Sequence, residues 1–202
     1  MKRLSLAVMF VFCTLGMAAQ DGIQVMFGGT QPNIYDFAWA FIFQDDGDAE
    51  ECDREATSGI AEALERYSKN ENQNDNVTLV VDKKSGFISY QHQYQGNTQL
   101  IEMCYWNEAD KKHKLFAFSN WSYFNDLPDQ GQYDTLVFLR YTNATKKMEF
   151  CAPPGFEVSY EQNTTYSLPR VGKDIIINKW DKDGLKTQKT LKWNGHGFNK
   201  EN

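Results

Sequence analysis

Catalysis by a side-chain nucleophile needs a serine, cysteine or threonine beside a base, and histidine is the commonest base. This chain has three histidines: His92, His113 and His196. His113 falls in KKHK on a predicted hairpin tip, and His196 lies in the C-terminal stretch NGHGF. Both settings are ordinarily solvated. No G-x-S-x-G elbow, H-E-x-x-H pair, glycine-rich phosphate loop or C-x-x-C occurs. A triad assembled from distant residues would show only in the geometry. The acidic break with Asp46, Asp48 and Glu50 fails as a calcium loop, because its sixth position is Glu51 instead of glycine and its twelfth is Thr57 instead of glutamate. A solvated surface turn is the expectation there. No catalytic residue is assigned, and neither a metal ion nor a cofactor is expected.

Two other residue classes carry possible chemistry. Paired carboxylates hydrolyse glycosides when they flank a bond at the right separation. Glu102, Asp134 and Glu149 lie in or beside predicted strands, but with 27 acidic residues chance pairs are common and solvated strand-face charge is the simpler reading. The aromatic surplus is more suggestive: Trp106, Trp121, Tyr123 and Phe124 gather around one hairpin and the segment NWSYFND that follows it. Exposed, such rings form flat platforms for sugars or for a partner's side chains. Folded back, they plug an open end of the sheet, and the plug is the favoured reading.

The elements that must position these groups follow from hydrophobic spacing. In QPNIYDFAWAFIFQ, Ile34, Phe37, Ala38, Phe41 and Ile42 fall on one helical face, with Pro32 suited to a first turn. Tyr35, Trp39 and Phe43 make the other side apolar too, so the segment reads as a helix buried nearly all round or as a strand, and the helix is the favoured reading. A second helix carries the stripe Cys52, Ala56, Ile60, Ala63, Leu64 and Tyr67, capped by Asp48 with Glu51 three residues on.

Beyond Asn76 the periodicity changes to two. VTLVVDKKSGFISY, LIEMCYWNEADKKHKLFAF, TLVFLRYTNATKKMEFC and DIIINKWDKDGLKTQKTLKW each read as extended run, polar turn, extended run. In the second, residues 107–112 form the tip, and Tyr105 and Trp106 precede it on opposite strand faces. Tyr141 and Trp180 sit in equivalent places, so an aromatic packed before the turn is a structural habit here. The connections SNWSYFNDLPDQGQ and APPGFEVSYEQNTTYSLPRVG hold four of the five prolines and are predicted as loops. The expected fold is α+β: two N-terminal helices on an antiparallel β-meander of about eight strands, with a lipocalin-like β-barrel as the alternative.

The chain opens with Lys2 and Arg3, an apolar stretch of 14 residues from Leu4 to Met17, then Ala18 and Ala19. That order is a secretory leader, too short for the ~20 residues of a membrane-spanning helix. Cleavage after Ala19 is expected to discard Cys13 with it, leaving one domain over residues 20–202: a helical part over 20–75 and the meander over 76–202. The charge moves from −6 to −8, with 19 basic and 27 acidic residues. Such a chain has no footprint for nucleic acid, and no later segment spans a membrane. Cys52, Cys104 and Cys151 remain. A bridge from Cys52 to either of the others and three buried free thiols both stay open, whereas a Cys104–Cys151 bond between non-neighbouring strands is disfavoured.

The C-terminal stretch YSLPRVGKDIIINKWDKDGLKTQKTLKWNGHGFNK, the leader ending MAAQ, and VDKKSGFISY followed by CYWNEADKKHKLFAF together resemble an uncharacterised exported protein family of Bacteroidetes. The resemblance covers most of the mature chain through structural motifs. It implies a periplasmic or extracellular location and transfers no functional residue, since that family has no assigned activity. Asp134-Thr135-Leu136 is similar to a short O-glycosylation acceptor of those bacteria, though a plain strand start explains it as well; sequons at Asn76, Asn120, Asn143 and Asn163 matter only under eukaryotic expression. The expected function is a non-catalytic binding module for a glycan, a peptide or an envelope protein. The alternatives are a small secreted carboxylate-dependent hydrolase and a structural or inhibitory envelope protein.

Overall fold

The structure, a computed structural model, describes residues 22–44, 51–129 and 131–200. The predicted leader and the Asp48 cap lie outside the described residues. The elements run β1 (Ile23–Gln24), α1 (Ile34–Ile42), α2 (Glu51–Ser68), β2 (Val77–Asp82), β3 (Phe87–Tyr94), β4 (Asn97–Asn107), β5 (His113–Phe124), β6 (Leu127–Pro128), β7 (Thr135–Thr142), β8 (Lys147–Cys151), β9 (Thr164–Ser167), β10 (Ile175–Asp181), β11 (Gly184–Trp193) and β12 (Phe198–Lys200). No helix among the described residues is long and apolar enough to cross a membrane.

Helix α1 starts two residues later than Pro32 at its first position would place it. Asn33 is the cap: its side chain accepts from the Tyr35 N–H at 2.9 Å, and Asp36 returns the favour to the Asn33 N–H at 2.8 Å. Ile34, Phe37 and Ala38 are buried, but the helix is not enclosed all round. Its outer side carries Tyr35, Trp39 and Phe43, which pack on one another at centroid distances of 5.7 and 4.2 Å, with Trp39 still 36% exposed. In α2 the predicted stripe buries Ile60, Ala63 and Leu64, while Tyr67 sits nearer the surface against Tyr35.

All four predicted hairpins form, as β2–β3, β4–β5, β7–β8 and β10–β11. The eight-strand meander is roughly as expected, but the fourth hairpin stands outside it. The first three lie in a curled eight-stranded sheet ordered β1-β8-β7-β5-β4-β3-β2, with β6 folded onto the end of β5. The fourth joins β9 and β12 in a separate sheet ordered β12-β11-β10-β9. Among the described residues the larger sheet ends in two unpaired edges, β1 and β2, and does not close into a lipocalin-like barrel.

Strand alternation explains the two layers. One face of the large sheet presents Ile88, Tyr90, Ile101, Met103, Phe116, Phe118, Leu139 and Tyr141 to the helices. The other presents Phe87, Cys104, Trp106, Leu115, Ala117, Trp121, Leu136 and Phe138 to Tyr166, Ile175, Ile177, Leu191 and Phe198 of the small sheet. Two helices cannot cover both faces of so many strands, and the second sheet covers the rest. Gly155 makes the crossing between sheets possible: its φ is +92°, and a Cβ there would stand 2.2 Å from the Phe198 carbonyl oxygen.

Two predicted loops are corrected. Residues 119–124 continue β5 instead of leaving the sheet, because β4 is long enough to pair with them down to Asn97↔Phe124. Within the second connection, Thr164–Ser167 forms β9 against β10. Cys104 and Cys151 are both free and lie on strands separated by β5 and β7. The Cys52 side chain lies outside the described residues.

Candidate functional site

Of the four aromatics expected to bind, Trp106 is 3% exposed and Trp121 fully buried, so neither offers a ring face to a ligand. Trp106 donates its indole N–H to the Lys173 carbonyl at 2.7 Å and packs edge-on against Phe198 at 5.1 Å. Trp121 stacks on Tyr166 at 5.8 Å. Tyr123 is half-buried against Trp180 at 5.9 Å, and Phe124, at the end of β5, is exposed. The first three rings fasten the two sheets together, which is closer to the plug than to the platform.

The carboxylates named from sequence have unequal settings. Glu102, on β4, accepts one hydrogen bond, from the Leu168 N–H at 2.8 Å. Burial outweighs that bond and pushes its carboxyl up to about 7. Burial likewise raises Asp134 to about 6 against hydrogen bonds from Ser122 and Gly131, and its Oδ2 is buried without a partner. The Tyr123 phenol is raised chiefly by its own burial, and both carboxylates add to the effect. Glu149 faces Arg140 across the β7–β8 pair and is exposed. Thr135 is half-buried at the start of β7, as a plain strand start requires.

A cavity of about 250 Å³ opens elsewhere, between α2 and the helix-facing side of the large sheet. Val77, His92 and Gln99 form its floor as one cross-strand row from β2, β3 and β4. Gly59, Glu62, Ala63 and Arg66 of α2 form one wall, and Gln73 and Asn74 of the loop after α2 another. Tyr90 stands two residues before His92 on β3, on the same face, with its ring buried and its hydroxyl against Gly59.

No family model, curated protein or solved structure matches this chain. The site therefore rests on its own geometry. Glu62 is tied down by Arg66 Nε at 3.0 Å and Asn74 Nδ2 at 3.3 Å, which hold its carboxyl below the usual range. Arg66 also donates through Nη1 to the Asn72 carbonyl at 3.3 Å, and Nη2 bonds to no described residue. Gln73 and Gln99 use their amide nitrogens on Ala63 and on Ala56 and Asn120, so their side-chain oxygens stay open. The Tyr90 hydroxyl and the His92 imidazole bond to no described residue. Burial, with a smaller push from Glu62, raises the Tyr90 phenol and keeps it a donor.

This is a fixed rim of anchored groups around several unspent donors and acceptors. Its lining carries one carboxylate, Glu62, with the Ser58 hydroxyl and the His92 imidazole among the polar groups, an arrangement that suits a polar ligand. Sequence reasoning passed over Tyr90, Glu62, Arg66 and Gln99. The available signal was Gly59 in mid-helix, where glycine costs ~1 kcal/mol relative to alanine and implies a close neighbour.

Proposed function

We propose that this chain is an exported, non-catalytic binding module that takes one sugar residue, such as the end of a glycan, in the cleft between α2 and the β2–β3–β4 surface. The carrying observation is the set of unspent polar groups converging there: the Tyr90 hydroxyl, the His92 imidazole, Arg66 Nη2 and the Gln73 and Gln99 carbonyl oxygens. Mixed donors and acceptors held by neighbours suit a polyhydroxylated ring, whose hydroxyls both give and take hydrogen bonds. The volume of about 250 Å³ falls below the ~300–1,000 Å³ of drug-sized sites, which favours a ligand of one ring. The secretory pattern of the first residues supports an exterior setting where glycans are met.

The test is a calorimetric and thermal-shift screen of the mature protein against monosaccharides and short glycans, followed by Arg66→Ala and His92→Ala. Millimolar binding that weakens about threefold to tenfold in each variant is expected, since one hydrogen bond contributes ~0.5–1.5 kcal/mol. A ligand that binds both variants as tightly as the parent would move the site elsewhere. A carboxylate-dependent hydrolase is the second reading, drawn from the raised carboxyls of Glu102 and Asp134. It calls for glycan cleavage abolished by Glu102→Gln. Neither carboxylate lines the cleft, so the two readings separate cleanly.

A further inference from the structure

The tip of the β4–β5 hairpin, residues 107–112, is more tightly built than a solvated turn needs. Glu108 N–H donates to the His113 carbonyl at 3.1 Å and Lys111 N–H to the Glu108 carbonyl at 3.0 Å. Lys111 adopts φ +58°, a conformation disfavoured for a side-chain-bearing residue. Two other loops grip the tip from outside. Ala109 N–H donates to the Gly195 carbonyl at 2.9 Å, and the Asn143 side chain and backbone N–H hold the Lys111 and Lys112 carbonyls, both at 2.9 Å.

The side chains this frame displays are metal ligands. One ligand atom from each of Glu108, Asp110 and His113 lies within 4.8 Å of the other two. Asp110 uses Oδ1 to accept the N–H groups of Lys112 and His113, at 2.8 and 3.1 Å, and turns Oδ2 to His113 Nδ1 at 2.5 Å. Glu108 is only 8% exposed, and Arg140 Nε engages its Oε1 at 2.7 Å. Its Oε2 has no hydrogen-bond partner among the described residues. A carboxylate this well covered, with one of its oxygens within 4.8 Å of a second carboxylate oxygen and an imidazole nitrogen, is unusual for a hairpin tip.

We propose that Glu108, Asp110 and His113 bind a divalent first-row transition cation, with Zn²⁺ the best-fitting probe. The cation takes the place of the proton between Asp110 Oδ2 and His113 Nδ1 and gains a Glu108 carboxylate oxygen as its third protein ligand. Two oxygens and a nitrogen at ~2.0–2.2 Å from zinc stand ~3.4 Å apart, so the Asp–His pair opens from 2.5 Å and Glu108, within 4.8 Å, closes in. The fourth position is left to water. The imidazole sets the preference against Ca²⁺ and Mg²⁺, which take oxygen ligands. Lys111, Lys112 and Arg140 oppose a cation nearby, so affinity is expected in the micromolar range instead of the nanomolar range of closed structural sites.

Isothermal titration of the metal-free mature protein with ZnCl₂ tests this. One equivalent is expected to bind, with Mg²⁺ and Ca²⁺ silent at the same concentrations. His113→Ala should weaken binding at least tenfold. Asp110→Asn should do the same while keeping the Oδ1 acceptor that shapes the turn, so its metal-free melting temperature should match the parent. His92→Ala and His196→Ala serve as controls and should bind as the parent does. Zinc binding that survives either ligand substitution within threefold, or no binding tighter than about 100 µM, overturns the proposal.

Discussion

Gly59→Ala is the sharpest test of how α2 sits on the sheet. Gly59 lies in the middle of an 18-residue helix, where alanine would ordinarily gain ~1 kcal/mol. In this fold the added Cβ would stand 2.4 Å from the Tyr90 hydroxyl oxygen and 3.2 Å from Cζ. Tyr90 cannot swing away, because its ring is rigid and 2% exposed beneath the helix. Overpacking of this kind costs ~1–3 kcal/mol, and so short a contact belongs at the upper end. The net expectation is destabilisation by about 2 kcal/mol, a fall of roughly 4–8 °C in melting temperature for a domain of this size. Tyr90→Phe removes the offending oxygen, and that hydroxyl has no partner among the described residues to lose. Phenylalanine alone should therefore be nearly neutral, and Gly59→Ala in that background should cost under 0.5 kcal/mol on the scale of ordinary surface changes. A double-mutant cycle by urea denaturation should yield a coupling of about 2 kcal/mol. Stabilisation by Gly59→Ala alone, or a coupling indistinguishable from zero, would refute the placement of α2 over β3 and the cleft with it.

Two further outcomes follow from the buried groups between the sheets. Glu102 titrates near 7 in the folded chain against 4.5 unfolded, so the native state holds a proton that the unfolded state releases. Stability should therefore fall as pH rises from about 4.5 to 7, by on the order of 3 kcal/mol from this group. Glu102→Gln should flatten that fall in melting scans at pH 5 and pH 8, and an unchanged pH profile would contradict it. Trp106→Phe should cost about 2–3 kcal/mol, because it strands the Lys173 carbonyl and opens space beside Phe138, Trp193 and Phe198. A loss under 1 kcal/mol would show that the two sheets do not depend on this contact.

The parts that were legible beforehand are those decided within a dozen residues. Turn chemistry at Gly86 and Gly184, both at positive φ, marks two hairpins directly, and the period-two runs beside them could form nothing else. What a local pattern cannot say is which partner a buried face meets. Trp106 and Tyr105 are neighbours on one strand, yet Trp106 packs under the small sheet and Tyr105 meets Phe37 of α1. Alternation announces both as apolar and is silent on the second sheet. The same limit hid the far end of β5. Ser119 and Asn120 are buried polar residues that read as loop, and Asn120 is satisfied by Gln99 and the Tyr133 carbonyl, partners invisible to composition.

The two candidate sites sit on opposite sides of that divide. Glu108, Asp110 and His113 lie within six residues of chain, so their convergence was within reach of the sequence. What concealed it was treating a lysine-rich tip as wholly solvated, when Arg140 on β7 holds Glu108 in the interior. The cleft has no such local signature. Glu62 and Arg66 come from a helix, His92 and Gln99 from neighbouring strands, and only the close approach of Gly59 to Tyr90 brings helix and sheet near enough to form a wall. A glycine that costs its helix stability is kept where a larger residue would drive the helix off the sheet. That displacement would separate Arg66 from His92, so the packing of α2 and the geometry of the cleft stand or fall on the same contact.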